Sequence, residues 1–260
     1  MVSWYDLAPA TRARYLDWLH GSHIPRLLDI PGVLSAAHYE VDRSEKPLPH
    51  LRQTRDRSLP RGGSHIFILA ARDAHVFAGL TSFRYKPTAS ERRMLALRQG
   101  ERVNIFTEEA RAYGPDARRR EGRYTLAPGI QLGNFNPGGY GDEDELLSWY
   151  AHLRLPSFQT LPGGICIRKM TSVSGWAKHG VLYEFTSLEA RAEHFRAHEA
   201  KDRKQSAWTH DVVAKLVHAP GSPAVARRIW PPVKPQRAAR AGSIKRGAGS
   251  VSSPARADPA

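Results

Sequence analysis

Leu16-Asp17-Trp18-Leu19-His20-Gly21-Ser22-His23-Ile24-Pro25 runs on through Leu27 and Ile30 to Pro31-Gly32. Leu147-Ser148-Trp149-Tyr150-Ala151-His152-Leu153-Arg154-Leu155-Pro156 runs on through Phe158 and Leu161 to Pro162-Gly163. Trp149, Pro156 and Pro162 each lie 131 positions after Trp18, Pro25 and Pro31, and Leu16/Leu147 and Ile30/Leu161 keep the same spacing. A Trp, two prolines and a glycine matching without a gap mark an internal repeat, and a repeat decides the fold before any single element does. In both copies the apolar residues before the first proline fall at helical spacing (Leu16 and Leu19; Leu146, Leu147 and Tyr150). A proline disfavours helical geometry at the residue before it, so each helix is predicted to kink or stop there. Pro-Gly then makes a turn into a strand, Val33 to Val41 in the first copy and Ile165 to Val173 in the second.

A second strand follows in each copy, His65 to Ala70 and Val181 to Phe185. Aligning Ile66 with Val181 gives an offset of 115, which leaves 16 extra residues in the first copy, within Arg43 to Gly63. That segment is polar, basic and proline-bearing, as suits a long surface loop. In the second copy a helix follows with Leu188, Ala192 and Phe195 on one face, and a candidate first strand, Gly129 to Phe135, precedes the repeated helix. The first copy has an apolar stretch, Ala74 to Leu80, then departs into Arg84 to Gln99; its only candidate first strand is Val2 to Leu7, short or missing. Closing strands are expected at Arg102 to Phe106, and at Ala214 to Val217 with Ala224 to Trp230. The charged, turn-rich run Pro115 to Gly122 reads as a linker.

Strand, helix, strand, strand, helix, strand is the ferredoxin-like order. The expected fold class is therefore α+β: two tandem ferredoxin-like units, 1–123 and 124–230, pressed into one intramolecular dimeric α+β barrel, with a basic tail at 231–260. The 260-residue chain carries a formal charge of +14. Six basic residues and one acidic residue fall in the tail, so +5 belongs there and +9 to the body. The tail is Pro, Gly, Ser and Ala with few large apolar side chains, so it cannot offset its ordering entropy and is expected to be disordered. Such a tail could hold a polyanion loosely by counterion release, although nucleic acid is not the expected partner. Cys166 is the only cysteine and sits in an apolar run, as a buried, inert thiol would. No apolar run reaches the ~20 residues of a membrane span and the first residues lack a secretory signal, so a cytoplasmic location is expected.

Trp18, His23, Pro25, Pro31 and Gly32 together resemble the EthD-like group of dimeric α+β barrel proteins, over residues 4–45 and 129–200. In that superfamily two units, usually from two chains, face each other around a pocket. Its members include decarboxylases and cyclases of polyketide-type aromatics, muconolactone-type isomerases, and cofactor-free or haem-using monooxygenases. The resemblance implies acid–base chemistry on an aromatic or polyketide-like acid in the barrel pocket. His23 is then the proton-moving group, His20 three residues away a second catalytic candidate, and Trp18 a substrate contact. No cofactor is predicted, and haem stays open because such barrels can supply a lone axial histidine. The second copy departs from the pattern at one position: Arg154 stands where the first has His23.

Arg154 could hold a carboxylate by paired hydrogen bonds, or be a surface charge. Tyr39 and Tyr183 lie on core strands and could lend hydroxyls to a pocket, or simply pack. His194 and His198 are four apart, but their flanking acids read as a solvated face, so no metal site is expected. No Walker, dinucleotide or G-x-S-x-G pattern is present. Asp142 to Glu145 places acid where a helix begins and suits its dipole. The alternative to an enzyme is a non-catalytic binder of a hydrophobic ligand. With both units on one chain a monomer could suffice.

Overall fold

Proline at Pro25 and Pro156 neither kinks nor stops its helix; the preceding turn widens instead. In the computed structural model, which describes residues 1–44, 50–78, 87–122, 124–199 and 206–233, the helix Pro9–Trp18 passes into a π-helical turn, Leu19–His23, and continues as Ile24–Leu28. The second half repeats this as Glu143–Trp149, Tyr150–Arg154 and Leu155–Phe158. The Ile24 N–H bonds to the Leu19 carbonyl, and the Leu155 N–H to that of Tyr150, each five residues back. A proline ring in a regular helix collides with the carbonyl four residues earlier and supplies no N–H. Opening one turn to the wider spacing accommodates both defects, and π-turns of this kind cluster at functional sites. The following glycines are as constrained as the prolines. Gly32 has φ +93° and a Cβ there would lie 2.7 Å from Val76 Cγ2; Gly163 has φ +77° and a Cβ would lie 2.7 Å from Ala190 Cβ.

The strands are β1 Val2–Asp6, β2 Val33–Val41, β3 Arg52–Gln53, β4 His65–Ala71, β5 Gln99–Tyr113, β6 Gly129–Asn136, β7 Gly164–Ser174, β8 His179–Phe185, β9 Val217–His218 and β10 Ala224–Trp230. The first half pairs as β5-β1-β4-β2 and the second as β10-β6-β8-β7, the ferredoxin-like order twice. Strand β5 then pairs with β7, and β10 with β2. Eight antiparallel strands thus close into a barrel with no free edge, each half supplying four, as the sequence predicts. The short β3 and β9 pair beside β6, outside the ring.

Four details differ from expectation. The first strand of the first half is fully formed, bonded to β4 on one side and β5 on the other. Its residues are buried on both faces, which removes the polar–apolar alternation that would have announced it. Strand β5 extends seven residues past the expected Arg102 to Phe106, because Thr107 to Tyr113, polar in sequence, cross to pair with β7. Ala214 and Lys215 end the helix Ala207–Lys215 instead of joining a strand, while Ala224–Trp230 closes the second half as expected. Finally, Arg168 pairs with Leu182 where Ala37 pairs with Ile68, so the second strands correspond at an offset of 114 and the extra loop has 17 residues. An offset of 115 would place inward Ile66 on outward Val181, the one-residue slip that exchanges the faces of a sheet. The expected unit boundary at residue 123, the apolar stretch beyond residue 78 and the tail from residue 234 lie outside the described residues.

Three cores result. The barrel interior is filled by Trp4, Tyr39, Ile66, Ile68, Ile130 and Leu132, with smaller neighbours and with Phe106 and Met170. Among the described residues the expected pocket between the sheets is therefore side chain. The other two cores lie outside the barrel wall, under the helices of each half. Cys166 is buried, and burial raises its thiol pKa to about 11, so it is un-ionised at neutral pH. Among the described residues no helix is long and apolar enough to cross a membrane.

Candidate functional site

The widened turn ends at His23 and aims it down onto the outer face of the first half's sheet. There a cavity of about 340 Å³ opens beneath the helices Ile24–Leu28 and Ala89–Leu95, lined by His23, Leu27, Phe67, Arg98, Glu101 and Ile105 with Ser3 and Leu95. A cavity of about 150 Å³ holds one benzene, so this one has room for about two fused rings. His23 is buried and stacks on Trp18, ring centroids 4.6 Å apart. Trp18 therefore backs the imidazole. The Nδ1 of His23 has no hydrogen-bond partner and lies 3.6 Å from Glu91 Oε1, a carboxylate held by Arg26 at 2.6 Å and by the Thr88 capping box. Burial, reinforced by Arg98 and opposed by Glu91, lowers the His23 pKa to about 4. At neutral pH it is an uncharged imidazole, able to accept a proton.

Arg98 anchors a second group of residues. Its Nη1 donates to Glu101 Oε1 at 2.6 Å and its Nε to the Tyr15 hydroxyl at 2.5 Å, with the guanidinium 4.5 Å from the centre of the Tyr5 ring. Ser3 Oγ donates to the same Glu101 oxygen at 3.0 Å. Burial works against the Arg98 charge, but Tyr15, Tyr5 and Glu101 outweigh it and the pKa is raised. The Tyr15 hydroxyl donates to Tyr5 at 3.4 Å, Tyr5 meets His38 Nε2 at 2.8 Å, and His38 Nδ1 meets His20 Nε2 at 2.8 Å. A guanidinium can only donate, so the Tyr15 hydroxyl accepts from Arg98 and gives its own proton to Tyr5. From Tyr5 to His20 the direction of each bond follows the tautomers of the two imidazoles. Burial keeps His38 and His20 below the usual imidazole range and both tyrosines above theirs, so the row carries no charge beyond Arg98 at neutral pH. His20, only partly buried, is its outer end.

The remaining sequence candidates lie elsewhere. Tyr39 points into the barrel core and its hydroxyl donates to the Ala127 carbonyl. Arg154 occupies the place of His23 in the second half, but its Nε donates to Tyr183 at 2.7 Å and its Nη2 to Glu199 at 2.6 Å, over the rings of Tyr183 and Phe195. The structure thus brings His23 and Trp18 together at the cavity, sets His20 behind it, and gathers Arg154 with Tyr183 in the other half. Sequence reasoning missed Arg98, Glu101, Tyr5, Tyr15 and His38. Only His38 carried a signal, a histidine on the outward face of a strand whose inward neighbours are Ala37 and Tyr39. Where the first half has His38 and His65, the second has Lys169 and His179, joined at 2.9 Å and flanked by Glu109 and Glu143. Among the described residues no group of three His, Cys, Asp or Glu is placed to hold a metal ion.

No family model matches the chain, nor does any curated protein. Among solved structures, a protein of Lactobacillus acidophilus NCFM provisionally assigned as a monooxygenase matches with a TM-score of 0.52 at 10% identity, over 87% of this chain and 91% of that one. A second provisional monooxygenase, from Fusobacterium nucleatum subsp. nucleatum ATCC 25586, matches at 0.48 and 10% identity over 87% and 90%. A provisional chlorite dismutase matches at 0.49 and 13% identity over 88% and 92%. The first match runs through both halves, so the likeness is of the whole barrel and not of one ferredoxin-like unit. With the closed eight-strand ring, it shows that this chain has the dimeric α+β barrel fold, both halves carried on one polypeptide.

Proposed function

We propose that the protein is a small-molecule enzyme of EthD-like type, which moves a proton on a polyketide-like aromatic bound in the cavity beneath the first half's helices. The observation that carries this reading is a buried, uncharged imidazole on the wall of a two-ring cavity. A neutral imidazole has one N–H. With Nδ1 turned to Glu91, the lone pair is on Nε2, and Nε2 takes the proton from an acidic position of the substrate. Glu101, fixed by Arg98 and Ser3, accepts from the substrate's hydroxyl and orients the ring over His23. An imidazolium with a pKa of about 4 in this setting returns its proton readily. That favours reactions in which a proton is borrowed and put back, as in an isomerase or a cyclase. The reading needs no cofactor, takes a small molecule as its only partner, and places the chain in the cytoplasm, where a lone buried thiol is at home.

The test is hydrogen exchange. 1,3-Dihydroxynaphthalene in D₂O, followed by proton NMR, reports deuterium entering the carbon between its hydroxyls. The protein is expected to accelerate that exchange, and His23→Gln to lower the acceleration by about 10²-fold or more, the usual contribution of a positioned base. Equal rates with and without protein, or with wild type and variant, refute it. Tight binding without exchange would instead support a ligand carrier.

A further inference from the structure

We propose that Glu101 sets the specificity of this cavity, admitting uncharged aromatic guests that donate a hydrogen bond and turning away carboxylates. The inference rests on the cavity being the substrate site, and it concerns which guest that site accepts.

Among the described residues each positive charge at the wall is already answered. Arg98 is the buried cation, and its Nη1 is 2.6 Å from Glu101 Oε1. Arg26 is bound to Glu91. His23 is uncharged at neutral pH. The Met1 amine donates to the Leu69 carbonyl, and burial lowers its pKa to about 5, so it too is uncharged. An entering carboxylate would lose its hydration, meet no unpaired cation, and stand beside the Glu101 carboxylate. Burying a charge without a partner is among the costliest steps available to a binding site. A phenolic or amide N–H or O–H faces the opposite situation. Glu101 is the anionic acceptor on the wall; among the described residues it receives Arg98 and Ser3 at one of its two oxygens, and a carboxylate can take about four such bonds. Leu27, Phe67, Leu95 and Ile105 cover the ring.

Three probes of one size separate charge from shape: 2-naphthol, 2-naphthamide and 2-naphthoate, titrated calorimetrically at pH 7. Naphthol and naphthamide are expected to bind at least tenfold more tightly than naphthoate. Glu101→Gln keeps an oxygen for Arg98 and Ser3 but removes the negative charge, so naphthoate should tighten at least tenfold while naphthamide shifts by less than threefold. Naphthoate binding the wild type as tightly as naphthamide overturns the proposal while leaving the cavity a site; so does a folded Glu101→Gln variant with unchanged preference. The amide–carboxylate comparison on the wild type stands even if the variant does not fold. If none of the three binds, the cavity itself is refuted as the site, and the proposal falls with it.

Discussion

Replacing Tyr5 by Phe deletes one oxygen from the row that runs from Arg98 to His20, and the cost can be worked from the geometry. Two hydrogen bonds disappear, a good one to His38 at 2.8 Å and a long one from Tyr15 at 3.4 Å. His38 is fully buried, so its Nε2 is left without its partner and with no water to replace it. An orphaned buried polar group costs about 1–3 kcal/mol, and the long bond adds at most about 0.5 kcal/mol. Neither tautomer of His38 avoids the loss, since its Nε2 faces the vacated oxygen either as an unmet donor or as an unmet acceptor. The ring itself still stacks on His65 and under Arg98, so packing changes little. The expected loss is about 1–3.5 kcal/mol, which in a chain of this size lowers the melting temperature by about 2–12 °C. Urea unfolding followed by tryptophan fluorescence measures it, with an unchanged m-value. Tyr15→Phe should cost about as much by stripping Arg98 Nε of its acceptor, and the double variant should cost less than the sum, by about 0.5 kcal/mol or more. A loss under about 0.5 kcal/mol for Tyr5→Phe, or strict additivity, would refute a continuous hydrogen-bonded row.

Two further outcomes follow from the same coordinates. Gly163→Ala should destabilise by about 2–4 kcal/mol, through its left-handed backbone and a contact at 2.7 Å, while Gly21→Ala, with no atom within 4 Å of its Cβ, should gain up to about 1 kcal/mol; thermal melts of the pair check this, and equal effects would contradict it. His23, His65 and His218 are all buried and brought by burial to a pKa of about 4 in the folded chain, against about 6.5 unfolded. The unfolded chain therefore binds more protons in that window, so their contribution is whole above pH 6.5 and lost as the pH falls toward 4, on the order of 2 kcal/mol for each by pH 5. Melting temperatures that stay level from pH 7 to pH 5 would show those imidazoles to be accessible to protons in the folded state.

The repeat was legible because its determinants are backbone determinants. A proline that must widen a turn and a glycine that must take a positive φ tolerate little else, so both survive in the sequence of each half and reveal the two-unit barrel. Strands buried on both faces, such as β1, and a strand that changes partner half-way, such as β5, obey no single periodicity and were underestimated. His23 and Trp18 were found because they sit in the repeated stretch. Arg98 and Glu101 follow a helix of seven residues that lies outside the repeated stretch, and Tyr5 lies in the strand that lacked a pattern. Their meeting is a product of strand order alone: β1 runs between β4 and β5, which brings Ser3 and Tyr5 against residues nearly a hundred positions away. No local reading of sequence contains that proximity.

The same construction explains why the two halves need not share a chemistry. Each widened turn delivers the residue two before its proline to the outer face of its sheet, so positions 23 and 154 are equivalent seats for a side chain. An imidazole in the first seat is neutral when buried and leaves space beside it. A guanidinium in the second cannot shed its charge, and must be met by Glu199 and by the Tyr183 hydroxyl, with aromatic rings of Tyr183 and Phe195 beneath it. Satisfying that cation consumes the polar groups around it, whereas His23 keeps a nitrogen unpartnered on the side of Glu91. Burial thus leaves one residue neutral with space beside it and makes a strut of the other, on one backbone device used twice.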